Sequence, residues 1–118
     1  MCLYQAQCTA LKVEYNGDFR VAYCLRCCRR WYFTFNDVEC RKPLAIDGIV
    51  LIHDNHGKKD TNMHKTTQIA GYCEGISKGT VRVGFHVGNC AGYSTANAYT
   101  GWNSVTRIMI EEVPAPQN

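Results

Sequence analysis

Alternation between apolar and polar side chains is the main pattern along this chain. It recurs over residues 19–23, 31–35, 81–87 and 105–109, and no comparable stretch repeats with a helical period. A period of two is typical of strands that bury one face against a core. Ten glycines punctuate these segments. The chain is therefore predicted to be all-β, with its strands arranged as a β-sandwich.

A turn is predicted near the start of the chain. Residues 11–15 alternate and lead into Asn16 and Gly17, after which alternation resumes at once. Asn-Gly between two alternating segments is the strongest short-range signal for a β-hairpin. We therefore expect two separate strands on either side of this pair.

Two predicted strands are apolar on both faces. In the fourth segment Ile49 and Leu51 lie opposite three further apolar residues, and in the last segment Ile108 and Ile110 lie opposite two. A sandwich strand needs only one apolar face, so the second face must be covered by a second layer, by a loop or by another subunit. A symmetric oligomer explains this surplus.

Aromatic residues mark the predicted core. Trp31, Phe33 and Phe35 share one face of a strand and are predicted to be buried, whereas Tyr32 points the other way and suits an interface, where Tyr is enriched. Trp102 stands at the entrance of a strand. We interpret it as a second core anchor, with an exposed binding residue as the alternative.

Length and composition fit one domain. The 118 residues are 46% hydrophobic and 19% charged, as in an ordinary globular core. We expect a single domain over residues 1–118, with an ordered part at about 8–113 and a tail at 114–118. The longest apolar run, residues 48–52, is far shorter than a membrane span.

Eight cysteines carry the strongest compositional signal. Secreted domains use such a number as disulfides, whereas reduced compartments disfavour it. Cys27 and Cys28 are adjacent, so each is expected to pair elsewhere, and one of them could reach a neighbouring subunit. Connectivity stays open among 105 intrachain possibilities. The predicted disulfide cysteines are Cys2, Cys8, Cys24, Cys27, Cys28, Cys40, Cys73 and Cys90.

The formal net charge of +3 is mild and does not by itself indicate nucleic-acid binding. Five of the 13 basic residues nevertheless fall within 17 positions. They form either a solvated rim or a patch for a sulfated glycan or acidic partner. These residues are Arg26, Arg29, Arg30, Arg41 and Lys42.

The sequence contains few motifs that indicate catalysis or metal binding. The Cys24-x-x-Cys27 pair has no second pair to complete a zinc site, and no Gly-x-Ser-x-Gly elbow is present. A non-enzymatic chain without a cofactor is therefore predicted. Calcium is an alternative because one polar loop carries Asp54, Asn55, Asp60 and Asn62. His86 allows a pH-sensitive cluster of histidines at an oligomer axis.

Three blocks carry a resemblance to a known family. They are Cys-Cys-Arg-Arg-Trp-Tyr-Phe-Thr-Phe-Asn at residues 27–36, Cys-Glu-Gly-Ile at 73–76 and Thr-Gly-Trp-Asn-Ser-Val at 100–105. Together with shorter matches they make the chain similar, from about residue 8 to 113, to the C-terminal domain of collagen triple helix repeat-containing protein. Residues 55–61 and 91–99 diverge, so partner contacts made there do not transfer.

The resemblance implies a secreted extracellular-matrix protein with a collagen segment N-terminal to this domain. It implies a homotrimeric jelly roll, like those of the complement C1q and tumour-necrosis-factor families, that aligns three chains for triple-helix nucleation. It also implies a link to Wnt–Frizzled signalling. The alternative from another class is a monomeric secreted module that binds a receptor or glycan through its basic patch.

Overall fold

The computed structural model describes residues 9–53, 62–77 and 79–114. Those ranges contain no helix, and their strands form two antiparallel sheets, which confirms the all-β prediction. Cys2, Cys8 and most of the predicted calcium loop lie outside the described residues. The strands are β1 (Thr9–Ala22), β2 (Arg26–Phe35), β3 (Val38–Glu39), β4 (Asp47–His53), β5 (Asn62–Cys73), β6 (Val83–Asn89), β7 (Asn97–Thr100) and β8 (Arg107–Pro114).

Each sheet is built around one long central strand. In the first sheet β1 pairs with β5 along one edge, and with β8 and then β7 along the other. In the second sheet β2 pairs with β4 and β3 along one edge and with β6 along the other. β8 pairs with β1 as far as Pro114, the first residue of the predicted tail.

The predicted hairpin at Asn16 and Gly17 is wrong, because β1 runs straight through both residues. Its partner β5 pairs with it without interruption from Leu11 to Ala22. Gly17 lets the Tyr15 side chain pack closely against the backbone and does not form a turn, since a Cβ at this position would lie 2.7 Å from the Tyr15 hydroxyl. The alternation of inward side chains therefore continues across the glycine.

Stacked aromatic rings fill the space between the two sheets. The ring centroids of Phe19 and Trp31 lie 4.1 Å apart, and those of Tyr15 and Phe85 lie 4.5 Å apart. Trp31 and Phe33 are fully buried and Phe35 is nearly so, and all three belong to the core cluster. The aromatic segment of β2 thus joins the sheets along their length.

The two sheets are in contact along the edge formed by β4 and β5, which we call the closed edge. Gly48 faces Ile69 there and Gly71 faces Ile46, with no room at either glycine for a Cβ, which would lie 2.9 Å from the facing isoleucine. A disulfide between Cys40 and Cys73 fixes the same edge. On the other side of the molecule lie β6 and β8, and we call that side the open edge.

Three disulfides join cysteines within the described residues. Cys27 and Cys28 each pair with a different cysteine of the same chain, so neither links to a neighbouring subunit. Alternation explains the split, because adjacent strand residues point to opposite faces of the sheet. The bonds are Cys24–Cys27, Cys28–Cys90 and Cys40–Cys73.

Candidate functional site

The open edge exposes apolar side chains of β8. The exposed fractions of Ile108, Met109 and Ile110 are 45%, 48% and 51%. Ile110 pairs with Val13, a fully buried residue of β1, so both side chains lie on the face that looks toward the second sheet. The β8 edge therefore presents core-type side chains that no other described strand covers. We call Ile108 and Ile110 the β8 patch, whereas Met109 pairs with Glu14 and lies on the outer face of the same strand.

A cavity of about 410 Å³ opens beside this patch. Its apolar wall comes from β1, β6, β8 and the connection that leads from β5 to β6, and consists of Leu11, Ile76, Val81, Val83 and Ile110. Thr9 and Glu112 stand at its polar rim. Sequence patterns do not single out Leu11 or Ile76 for this role, because the cavity depends on how the two sheets are placed in space.

A second apolar patch lies on the outer face of the second sheet. Ile49 and Leu51 of β4 are 59% and 53% exposed, whereas their neighbours Val50 and Ile52 are 8% and 6% exposed. This division matches the two faces that alternation assigned to the strand. We call Ile49 and Leu51 the β4 patch, and it differs from the β8 patch in both sequence and position.

The outer face of β2 carries a row of side chains in mutual contact beside the β4 patch. Tyr32 stacks on His86 with ring centroids 5.3 Å apart, and the Nε2 atom of His86 lies 2.9 Å from the Thr34 hydroxyl. Cross-strand register explains the contact, because His86 sits directly opposite Tyr32. The predicted interface position of Tyr32 is thus on a solvent-facing sheet surface.

Two of the five basic residues in the predicted glycan patch already form hydrogen bonds or ion pairs within the chain. Arg29 is only 9% exposed, and its guanidinium donates to the carbonyls of Gly88 at 2.9 Å and Ala96 at 2.6 Å. It shares the inward face of β2 with Trp31, which is why it is buried. A glycan cannot reach this guanidinium.

Arg30 is neutralised by two carboxylates. It forms ion pairs with Glu39 and, at 2.7 Å, with Asp47. Hydrogen bonding to Glu39, opposed by burial and supplemented by Asp47, raises the pKa of Arg30 above its usual value. The cation is therefore balanced locally and contributes little to long-range attraction.

The remaining members of the basic run lie at opposite ends of β2. Arg26 begins the strand, whereas Arg41 and Lys42 follow β3, which pairs with β2 at Thr34 and Phe35. Eight residues from Arg26 to Thr34 span about 26 Å at ~3.3 Å per residue. The interpretation of the whole run as one glycan patch is therefore wrong.

Trp102 is not part of the core. It is 53% exposed in the turn between β7 and β8, next to Asn103, which has a φ of 48°. Its ring lies 4.8 Å from that of His64, and the Nδ1 atom of His64 contacts Asp18 at 2.8 Å. The core assignment is therefore wrong, because the left-handed turn directs this tryptophan outward onto the first sheet.

Within residues 9–53, 62–77 and 79–114, no group of three or more His, Cys, Asp or Glu side chains converges as a metal site would require. Asn62, the last residue of the predicted calcium loop, starts β5 and accepts a hydrogen bond from Arg20. None of the described segments is a helix long and apolar enough to cross a membrane.

One comparison with known proteins identifies a relative. A family model described as CTHRC1, C-terminal domain, matches residues 1–110, which is most of the chain. No solved structure matches. The match agrees with the resemblance seen in the three sequence blocks.

Proposed function

The chain belongs to the CTHRC1 C-terminal domain family, and on that premise we propose that it assembles a collagen-related secreted protein as a homotrimer. The observation that carries the proposal is the β8 patch, where core-facing side chains stand uncovered. Ile108 and Ile110 are about half exposed although they pair with fully buried residues of β1. A second copy of the chain would complete this incomplete side of the core.

Two unlike patches favour a ring over a simple dimer. A two-fold dimer joins one patch to itself, whereas a three-fold ring joins two different patches of successive subunits. The β8 patch and the β4 patch meet this requirement, because they lie on different sheets and have different residues. We propose that the β8 patch of one copy packs on the β4 patch of the next.

A jelly-roll trimer would also align collagen chains. Eight described strands in two four-stranded sheets agree with a jelly roll. Thr9 starts β1 at the rim of the cavity beside the β8 patch. Collagen segments preceding three such strands would therefore leave the trimer near its subunit contacts, where tethering raises their effective concentration for triple-helix formation.

The proposed role is structural and extracellular. The family match supports a collagen-related matrix domain over an enzyme, and three disulfides agree with secretion. Modulation of Wnt–Frizzled signalling, which the resemblance implies, stays a prediction. Binding of the purified domain to a Frizzled ectodomain tests it.

Light scattering on purified domain tests the assembly. We expect a mass near three times 13.3 kDa for the unmodified chain and a monomer for Ile110→Asp, because a buried unpaired carboxylate at an interface is strongly unfavourable. The matched control is Tyr72→Asp, since Tyr72 is 47% exposed on β5, away from both patches. Tyr72→Asp should leave the trimer intact. A monomeric unmodified chain at micromolar concentration contradicts the proposal.

Mixing two monomeric variants tests the head-to-tail pairing. Ile110→Asp keeps an intact β4 patch, and Leu51→Asp keeps an intact β8 patch. Each is expected to be monomeric alone, and their mixture should form a dimer with one productive contact. If Leu51→Asp still self-associates, the interface joins two β8 patches and the ring model is wrong. Circular dichroism of each variant verifies that its strands remain folded.

A further inference from the structure

An arginine framed by two tyrosines occupies the outer face of the first sheet, at the end where β1 meets β7. The guanidinium of Arg20 lies 4.6 Å from the ring centroid of Tyr99 and 5.8 Å from that of Tyr23. Its Nε–H donates to the Asn62 side-chain oxygen at 2.8 Å, and a terminal nitrogen lies 3.4 Å from the Tyr23 hydroxyl. These contacts hold the charge in one orientation while using only neutral partners.

Tyr23 reaches this arrangement through an unusual backbone conformation. Its φ is 61°, in the left-handed region that bulky residues rarely adopt. The side chain is nevertheless 52% exposed, so burial of the ring does not explain the conformation. Such outliers cluster at binding sites, where surrounding structure maintains them.

A second arginine stacks on a tyrosine at the same end of the molecule. The guanidinium of Arg26 lies 5.2 Å from the ring centroid of Tyr93. Arg26 and Tyr23 line one shallow cavity of about 450 Å³ together with Asn97, which pairs with the end of β1. The cavity lies between the two arginine–tyrosine groups, since one of its lining residues, Tyr23, contacts Arg20 and another, Arg26, contacts Tyr93.

Neither arginine is neutralised within the described part of the chain. Arg29, Arg30 and Arg82 bond to carbonyls or carboxylates, whereas the contacts of Arg20 and Arg26 there are with neutral groups. Asp18 shares the outer face with Arg20 but is engaged by His64 at 2.8 Å. The end of β1 therefore presents two positive charges whose fields are not cancelled by paired acids.

We propose that this arginine–tyrosine surface, formed by Arg20, Tyr23, Arg26, Tyr93 and Tyr99, binds a sulfated polysaccharide. Guanidinium groups suit planar recognition of oxyanions, and the tyrosine rings offer flat apolar faces on which sugar rings stack. This inference goes beyond trimer assembly, because none of these five residues belongs to either apolar patch.

The geometry disfavours an extended peptide as the ligand. Arg20 sits on β1 between His64 of β5 and Tyr99 of β7, so the strand has no free edge here for an added peptide strand. An open sheet face carrying charges and exposed rings instead suits a chain of sulfated sugars that contacts side chains alone. Acidic peptides are therefore the alternative to be excluded by experiment.

Calorimetric titration with a heparin hexasaccharide tests the proposal on the unmodified, assembled chain. The double variant Arg20→Gln and Arg26→Gln should weaken binding about tenfold, since it removes two charge-assisted contacts. The matched control, Arg41→Gln with Lys42→Gln, removes the same charge at the far end of β2 and should change the affinity less than about twofold. Equal weakening by both pairs means attraction by net charge alone and overturns the proposal.

Variants of Tyr99 and ligands of different charge distinguish the stacking of sugar rings from electrostatic attraction. Tyr99→Phe keeps the ring and should preserve affinity, whereas Tyr99→Ala should weaken it severalfold. Desulfated hexasaccharide should fail to bind, and polyglutamate should bind far more weakly than heparin. Absence of heparin binding, or equal affinity for polyglutamate, overturns the proposal. Melting temperatures of all variants show whether a loss reflects unfolding instead.

Discussion

The closed edge and the open edge of this sandwich are built from similar isoleucines but reach different states. Ile46 and Ile69 at the closed edge are 6% and 5% exposed, whereas Ile108 and Ile110 at the open edge are about half exposed. The difference lies in what surrounds them. Glycines and a disulfide draw the sheets together on one side, and on the other the sheets diverge around a cavity.

This contrast separates stability of the subunit from its assembly. Side chains at the closed edge have already realised the free energy of burial, on the order of 1.5–3 kcal/mol for a fully buried isoleucine. Those at the open edge retain much of that free energy for association. The domain can therefore fold through one edge and bind through the other.

Removal of the Cys40–Cys73 bond should have the largest effect on the closed edge. The bond closes a loop between residues 33 positions apart, so Cys40→Ser with Cys73→Ser should lower the free energy of unfolding by about 4 kcal/mol. Urea unfolding measures this loss. An unchanged midpoint would mean that glycine packing alone holds the edge.

Matched isoleucine truncations compare the two edges directly. Ile69→Ala should cost about 3 kcal/mol because it leaves a cavity in a packed core. Ile110→Ala should cost less than about 1 kcal/mol in dilute monomer, since half of its side chain is already in water.

Concentration is the control for this comparison. If a second copy covers Ile110, the cost of Ile110→Ala should rise with protein concentration, whereas that of Ile69→Ala should not. Thermal unfolding at two concentrations measures both. A concentration-independent cost for Ile110→Ala would contradict its role in assembly.

Glycine substitutions should have the smallest effects. Gly71→Ala places a Cβ 2.9 Å from Ile46, and we expect a loss of about 1–3 kcal/mol from overpacking. Gly88→Ala on β6 meets only Tyr32, at 3.3 Å, and should change stability by less than about 0.5 kcal/mol. Similar losses at both positions in chemical denaturation would show that the closed edge is no tighter than the rest.

Much of the fold was predictable because strand alternation is local. It assigned Ile49 and Leu51 to one face and Val50 and Ile52 to the other, as the structure has them. The same rule, carried two residues back from Trp31, would have placed Arg29 inside. The interpretation of the basic residues as one continuous run ignored which face of the strand each of them occupies.

Errors arose where local signals compete with pairing. Asn-Gly favours a hairpin, but uninterrupted pairing with β5 keeps Asn16 and Gly17 within one strand. Trp102 is apolar and large, yet a left-handed turn places it outside. The proximity of Arg20 to Tyr99 depends on the register between β1 and β7, which composition and spacing do not encode.

The pairing of β1 with β8 has a consequence for biosynthesis. It places Thr9 opposite Pro114, so the first described strand finds one of its partners only in the last described strand. Contacts so distant in sequence form late and slowly. The first sheet cannot be completed while the ribosome still holds β8. Subunits proposed to meet through β8 would thus recognise one another only after β8 has been synthesised and paired, which protects unfinished chains from premature association.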